Sequence, residues 1–471
     1  MRAPILFAAL FLSGVATPAM AGEPPPPPPA DTADKAADTP APAPAPTKKV
    51  EPSPDPKKGE PDKSAVDKAD KKAEKVGADG LTDAERKAIK DALGEDAATN
   101  KPAAPVAPPA PQVSTMGGST AAAGANPGIN AMNPAIALIL DAALAYFSID
   151  DPMQAGAHDP ARTGFTFQQL EMYIESNVDP FFKLQANLVF SEFGVEVEEA
   201  FGTTLGLPAG LQFRVGQFLT RFGRTNNTHP HAWHFTDQPI GLGRFFGGES
   251  SRGLGVEASW LTPASWFLEV YASGQMPVGE CCARSYFGGS QLKIEGPADF
   301  VYTVGVKQFF DIDLDWGLVW NVNAQFGPNA SGNGNRTEIY GTDLYLRYRP
   351  VANTDQLSLS ITAEFMLRAR QLPGRSLVDY NVHSQAVLRI DRQWEIGARY
   401  EYLLGLEDDP LDPGESGDRH RVSIQGTFYP SHFSRLRLQG TYDDADWQRE
   451  VSWGAIFAVE FLIGAHGAHH Y

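Results

Sequence analysis

Between Leu357 and Arg370 apolar and polar residues alternate one for one. Leu357, Leu359, Ile361, Ala363, Phe365, Leu367 and Ala369 fall on one side, and Ser358, Ser360, Thr362, Glu364, Arg368 and Arg370 on the other, with Met366 the one exception. A period of two is the signature of a β-strand, because successive side chains leave the pleat on opposite faces. The pattern recurs near 135–148, 164–176, 181–191, 195–205, 211–222, 253–261, 265–274, 299–311, 314–326, 337–349, 357–370, 379–390, 394–403, 420–429, 434–442 and 450–461. About sixteen strands, an even number, predict an all-β fold: a closed antiparallel transmembrane β-barrel.

The connections sort by length, as they do in barrels with short turns at one rim and long loops at the other. Asn177-Val178-Asp179-Pro180, Pro263-Ala264, Ile312-Asp313, Asp391-Arg392-Gln393 and Pro430-Ser431-His432 are short and fall at one end. The long ones, near 149–163, 223–252, 275–298, 327–336, 371–378, 404–419 and 443–449, fall at the other. Two connections depart from the rule: the one near 192–194 is short and 350–356 is longish.

The two faces of the strands differ in chemistry. In 181–191 the outward set is Phe182, Leu184, Ala186, Leu188 and Phe190, with Lys183, Gln185, Asn187 and Ser191 inward. Asn321, Asn323 and Gln325 repeat the inward polar row, which only a wet lumen tolerates, since an unpartnered buried amide costs on the order of 2 to 7 kcal/mol. Trp394, Tyr400, Tyr402, Phe428 and Tyr442 are placed as interfacial aromatics, and Trp453, Phe457, Val459 and Phe461 give the last strand the aromatic alternation of an outer-membrane barrel.

Residues 1–21 carry Arg2, an apolar core and Ala19-Met20-Ala21, the layout of a cleaved signal peptide. No later segment has the ~18 to 20 unbroken apolar residues of a membrane-spanning helix. Segment 22–127 is rich in Pro, Ala, Lys and Asp, and is predicted to be a disordered periplasmic linker with a short helix near 82–93. A spacer is one reading of it and cell-wall contact the other. The chain carries a net charge of -18. The linker contributes only about -3 of this, roughly 14 basic against 17 acidic side chains, so the barrel region 134–471 holds the excess. Nucleic acid is not an expected partner of so acidic a surface. Glu407, Asp408, Asp409, Asp412, Glu415 and Asp418 read as an exposed acidic loop.

Arginines concentrate on inward positions: Arg347, Arg349, Arg368, Arg370, Arg389, Arg399, Arg421, Arg435 and Arg437. Facing an acidic wall they would impose a transverse field on a lumen; paired with Glu364, Glu395 or Glu401 they would merely satisfy the wall. The long connection 223–252, third at its end, is the candidate to fold inward as a constriction. It holds His229, His231 and His234, which zinc or copper can use as ligands or which can belong to an ordinary polar loop. His466, His469 and His470 in the tail admit the same two readings. Adjacent Cys281 and Cys282 are either a vicinal disulfide or a soft metal pair. No catalytic residues are assigned, because His383 and Ser384 are strand neighbours on opposite faces.

The block Gly216-Gln217-Phe218, Arg221-Phe222-Gly223, His229-Pro230-His231, Phe246-Gly247-Gly248-Glu249 and Gly253-Leu254-Gly255-Val256-Glu257 resembles porins of the phosphate-selective O/P type. With the tail Gly464-Ala465-His466-Gly467-Ala468-His469 it is also similar to proteins labelled zinc-regulated TonB-dependent outer-membrane receptors. The first resemblance implies a basic constriction, for which Arg221, Arg224, Arg244 and Arg252 are the candidates. The second implies a plug and about twenty-two strands, whereas this chain has room for about sixteen. The sequence thus predicts a porin-like outer-membrane channel, embedded in lipid, for small hydrophilic solutes or ions. A zinc-linked receptor and an envelope tether are the alternatives. No cofactor is required apart from that zinc, and assembly as a homotrimer is left open.

Overall fold

The structure, a computed structural model, describes residues 134–192, 194–277, 279–286, 294–332, 334–351 and 357–464. The signal peptide, the 22–127 linker with its helix, and His466, His469 and His470 lie outside the described residues.

Sixteen strands form one sheet. They are β1 (Ala135–Phe147), β2 (Gly164–Asn177), β3 (Phe182–Ser191), β4 (Gly194–Thr204), β5 (Leu211–Leu219), β6 (Arg252–Leu261), β7 (Phe267–Pro277) and β8 (Val301–Asp311) in the first half. The second half adds β9 (Trp316–Pro328), β10 (Arg336–Tyr348), β11 (Ser358–Leu372), β12 (Arg375–Arg389), β13 (Trp394–Gly405), β14 (Gly417–Ser431), β15 (Ser434–Ala445) and β16 (Ser452–Gly464). Each pairs antiparallel with its sequence neighbours, and β1 closes on β16 from Ala137 opposite Gly464 to Phe147 opposite Gly454. Closure removes the open edge that a membrane would leave without hydrogen bonds.

The outer face is apolar along its length. Val195, Val197, Val215, Leu254, Val256, Trp320, Val322, Ile424, Leu438, Phe457 and Phe461 are all exposed, far beyond the patch a water-soluble surface carries. Aromatic pairs mark both rims. Trp394 packs on Phe428 and Trp316 on Tyr348, each at 4.8 Å, at the short-turn end. Tyr146 with Trp453 and Tyr380 with Tyr402, each at 5.5 Å, stand at the long-loop end. The inward Asn321, Asn323 and Gln325 are buried in the lumen wall.

Three features depart from the sequence reading. Residues 371–378 are not a long loop: β11 and β12 continue to a hairpin at Pro373-Gly374, where Gly374 has φ 78°. Proline followed by a left-handed glycine is the order of a type II turn. Second, β5 ends at Leu219 rather than 222, where the Asn226 side chain takes the place of a strand partner across the neck of the loop 220–251, its Nδ2 donating to Thr220 O at 2.8 Å and its Oδ1 accepting from the Ser251 N–H at 2.6 Å. Third, the lumen is not polar throughout. Toward the long-loop end it holds a dry cluster: Phe222, Leu242, Phe245, Phe246, Ala283, Tyr286, Val301, Ile339 and Met366.

Two β-bulges shape the wall under this loop. The register of β1 with β2 shifts after Asp141, and that of β3 with β4 after Asn187. A bulge re-aims the side chains around it. Here consecutive Gln168 and Gln169 both become buried, and Glu198 and Glu199 both reach the same histidine of the loop.

Candidate functional site

The loop 220–251 lies inside the barrel. It carries helix α1 (Ile240–Phe246), and every residue of that helix is buried. Glycine would weaken an exposed helix, but a Cβ at Gly243 would sit 2.6 Å from Ala155 O, so close approach of the 148–163 loop requires it.

Wall side chains from around the barrel hold the loop. Glu364 of β11 accepts from the Arg224 N–H at 2.9 Å, the Thr225 N–H at 2.8 Å and the Thr225 hydroxyl at 2.9 Å. Gln439 of β15 accepts from the Thr236 N–H at 2.8 Å, and Glu401 of β13 from the Ile240 N–H at 2.7 Å. Asp159 accepts from the Gln238 N–H at 3.0 Å.

Asp237 is the centre of this bracing and only 1% exposed. Arg399 and Gln439 donate to it at 2.7 Å each, and Arg421 at 3.2 Å. Burial alone would raise its carboxyl, but the two guanidinium groups hold it below the ordinary aspartate range. Arg435 and Arg437 donate to Trp233 O at 3.1 and 3.0 Å, while Arg435 also pairs with Glu460.

Arg368, Arg370, Arg244, Arg221 and Arg252 are paired with acids as well. Arg368 pairs with Asp379 at 2.5 Å, and Arg370 with Asp409. Arg244 of α1 meets Asp412 at 3.4 Å and Glu415 at 2.5 Å. Arg221 bonds Glu269 at 2.6 Å and Arg252 joins Glu196 to Glu249. Asp409 and Asp412 are buried, which corrects the reading of 407–418 as a wholly exposed acidic loop. Arg347 is half-buried near the end of β10, but Arg349 lies beyond that strand and is exposed, so it is not part of the inward row. Arg389 sits over the Tyr429 ring at 4.7 Å.

The three loop histidines do not converge on one ligand position. His229 is clamped by Glu198 at 3.0 Å through Nδ1 and Glu199 at 2.9 Å through Nε2. His231 meets Glu171 at 2.6 Å, and its ring stacks on His229 at 5.8 Å. His234 instead reaches Glu395 of β13 at 3.0 Å. Burial would lower the pKa of His229, but Glu198 and Glu199 overcome it and hold the ring well above the ordinary value; for His231 burial is likewise outweighed by Glu171, which raises its pKa.

Between the loop and the short-turn end lies a cavity of about 110 Å³, lined by Arg224, Trp233, His234, Tyr345, His383, Arg399 and His432 among others. Arg224 has no carboxylate within ion-pair distance among the described residues; its guanidinium lies 3.7 Å from the Tyr345 ring centre, a cation–π contact. His383, 3% exposed, stands 3.9 Å from Glu364, and neither ring nitrogen has a hydrogen-bond partner. Ser384, next to it, turns to the opposite face. Sequence reasoning missed Asp237, Asp379, Glu171, Glu198, Glu199 and Glu460; their one signal is an acid at an inward strand position or in the loop predicted to enter.

Sixteen antiparallel strands closed on themselves, apolar outside and polar on the lumen wall, make this chain a transmembrane β-barrel. No protein-family profile matches it. An uncharacterized protein of Aquifex aeolicus (strain VF5) is 28% identical over 344 residues, 65% of this chain and 70% of that protein. Similar solved structures include an anion-selective porin from Comamonas acidovorans, at 14% identity and TM-score 0.47, covering 70% of this chain and 99% of that one. OprB of Pseudomonas putida is 10% identical with a TM-score of 0.49, covering 70% and 94%. OmpF of Salmonella typhi, in complex with daunomycin, is 11% identical with a TM-score of 0.44, covering 71% and 98%.

Proposed function

We propose that this protein is an outer-membrane, porin-like channel for small hydrophilic solutes or ions, with the loop 220–251 as its constriction. The observation that carries the reading is the loop's position: it enters the lumen, bonds to wall residues on β11, β13 and β15, and leaves a polar cavity beneath it. A barrel needed only as an anchor has no use for a lumen divided in this way. The cavity's unpaired charge is the Arg224 guanidinium, which favours anions there.

Purified protein in a planar bilayer is expected to give stepwise ohmic conductance, with larger steps once 226–246 are deleted. Under a salt gradient the reversal potential is expected to report anion preference, shifted toward cations by Arg224→Gln. Silent bilayers with correctly folded protein would overturn the channel, and an Arg224→Gln potential equal to wild type would overturn the anion preference. The histidines' separate glutamate partners give the zinc-linked alternative no support.

A further inference from the structure

The chain has two cysteines, and both stand where two loops inside the barrel mouth are clipped together. Helix α2 (Gly279–Ala283), in the connection from β7 to β8, lies against the end of the constriction loop. The Glu249 N–H donates to Cys281 O at 3.0 Å, and the Arg284 and Ser285 N–H groups donate to Phe246 O and Phe245 O at 3.1 and 3.2 Å. Cys281 and Cys282 are joined as a vicinal disulfide. Cys282 is 1% exposed and Cys281 only half-buried, so the pair has a dry side and an accessible side.

The Glu249 carboxylate completes the arrangement, since one of its oxygens and both sulfur atoms lie within 4.8 Å of one another. Charge at this place is in surplus on the negative side: Glu249 and Glu196 share the single guanidinium of Arg252.

We propose that Cys281 and Cys282, once reduced, form with Glu249 a binding site for one thiophilic divalent cation at the clasp between the two loops. Thiolate sulfur selects soft and borderline ions over magnesium or calcium. Three protein donors with a fourth position left to water is a familiar set for such an ion. The chemistry balances in two steps. A dithiol or phosphine supplies two electrons, the S–S bond breaks, and two protons complete the thiols. The cation then displaces both thiol protons as two metal–sulfur bonds form. The disulfide therefore closes the site and reduction opens it, independently of whether the barrel conducts.

The test uses the full chain in detergent micelles, reduced with a phosphine under anaerobic conditions and titrated with cadmium ion. The expected result is an ultraviolet thiolate-to-cadmium charge-transfer band that saturates at one ion per chain and is absent from the oxidised protein. Glu249→Gln is expected to weaken binding at least tenfold, and the Cys281→Ser, Cys282→Ser double variant to abolish it. Wild-type protein alkylated at both thiols serves as a second control that needs no refolding. Folding is checked throughout by the heat-dependent gel mobility of barrels. No band in reduced, folded wild type, an equal band in oxidised, alkylated or Ser-substituted protein, or unchanged affinity in Glu249→Gln would overturn the site.

Discussion

Asp237→Asn should release the constriction loop from the wall, and the structure sets the size of the effect. The substitution keeps the side chain's volume and removes the charge that Arg399 and Arg421 share. Breaking a buried ion pair from one side costs about 3 to 5 kcal/mol, because the partner stays buried without compensation. Both arginines retain another acid, Arg399 with Glu401 at 3.0 Å and Arg421 with Asp443 at 2.6 Å, so the lower end applies. About 3 kcal/mol is roughly a hundredfold in the docked-to-undocked ratio. Native-state hydrogen exchange reads that ratio directly, since the Thr236, Gln238 and Ile240 amides donate to Gln439, Asp159 and Glu401 and exchange only when the loop leaves them. Their protection should fall about a hundredfold, while the β13–β14 ladder stays unchanged. Protection at these three amides equal to wild type would refute the idea that Asp237 holds the loop in place.

Alkaline pH should loosen the loop's other end. His229 and His231 have raised values in the folded chain, so their contribution is complete below about pH 6.5, the ordinary imidazole value, and is lost as pH rises through the folded values. Exchange at 228–234, corrected for intrinsic rate, should accelerate from pH 6 to about pH 9, less so in Glu198→Gln; acceleration on acidification instead would contradict the sign. Phe246→Ala should cost about 3 to 5 kcal/mol, since the ring is fully buried in the lumen's apolar cluster. Urea unfolding from lipid vesicles measures this, and a loss under about 1 kcal/mol would mean that the cluster relaxes around the gap.

The wall of this barrel was legible because lipid and lumen impose opposite demands on adjacent residues, a signal carried within each strand. What fills the wall is written differently. Glu364 meets Thr225 across 139 positions and Gln439 meets Thr236 across 203, and no local period links such pairs. Spacing misleads here: His229, His231 and His234 lie close in sequence, but the loop's path turns them toward β4, β2 and β13, so proximity along the chain says nothing about a shared ligand. The same holds for 407–418, where Asp409 and Asp412 turn inward while Glu407 and Asp408 stay outside. One physical sign of the loop's fate was nevertheless present. Ile240, Leu242, Phe245 and Phe246 place large apolar side chains on opposite sides of a short helix, in a connection that solvent would otherwise cover. A helix apolar on all sides must be buried. The barrel's outer face is already committed to lipid, so the lumen is the place left for it. Arg399 and Arg437 then follow as the polar counterpart of that helix, donating to the Trp233, Phe235 and Asp237 carbonyls and, from Arg399, to the Asp237 carboxylate that the same segment carries inside.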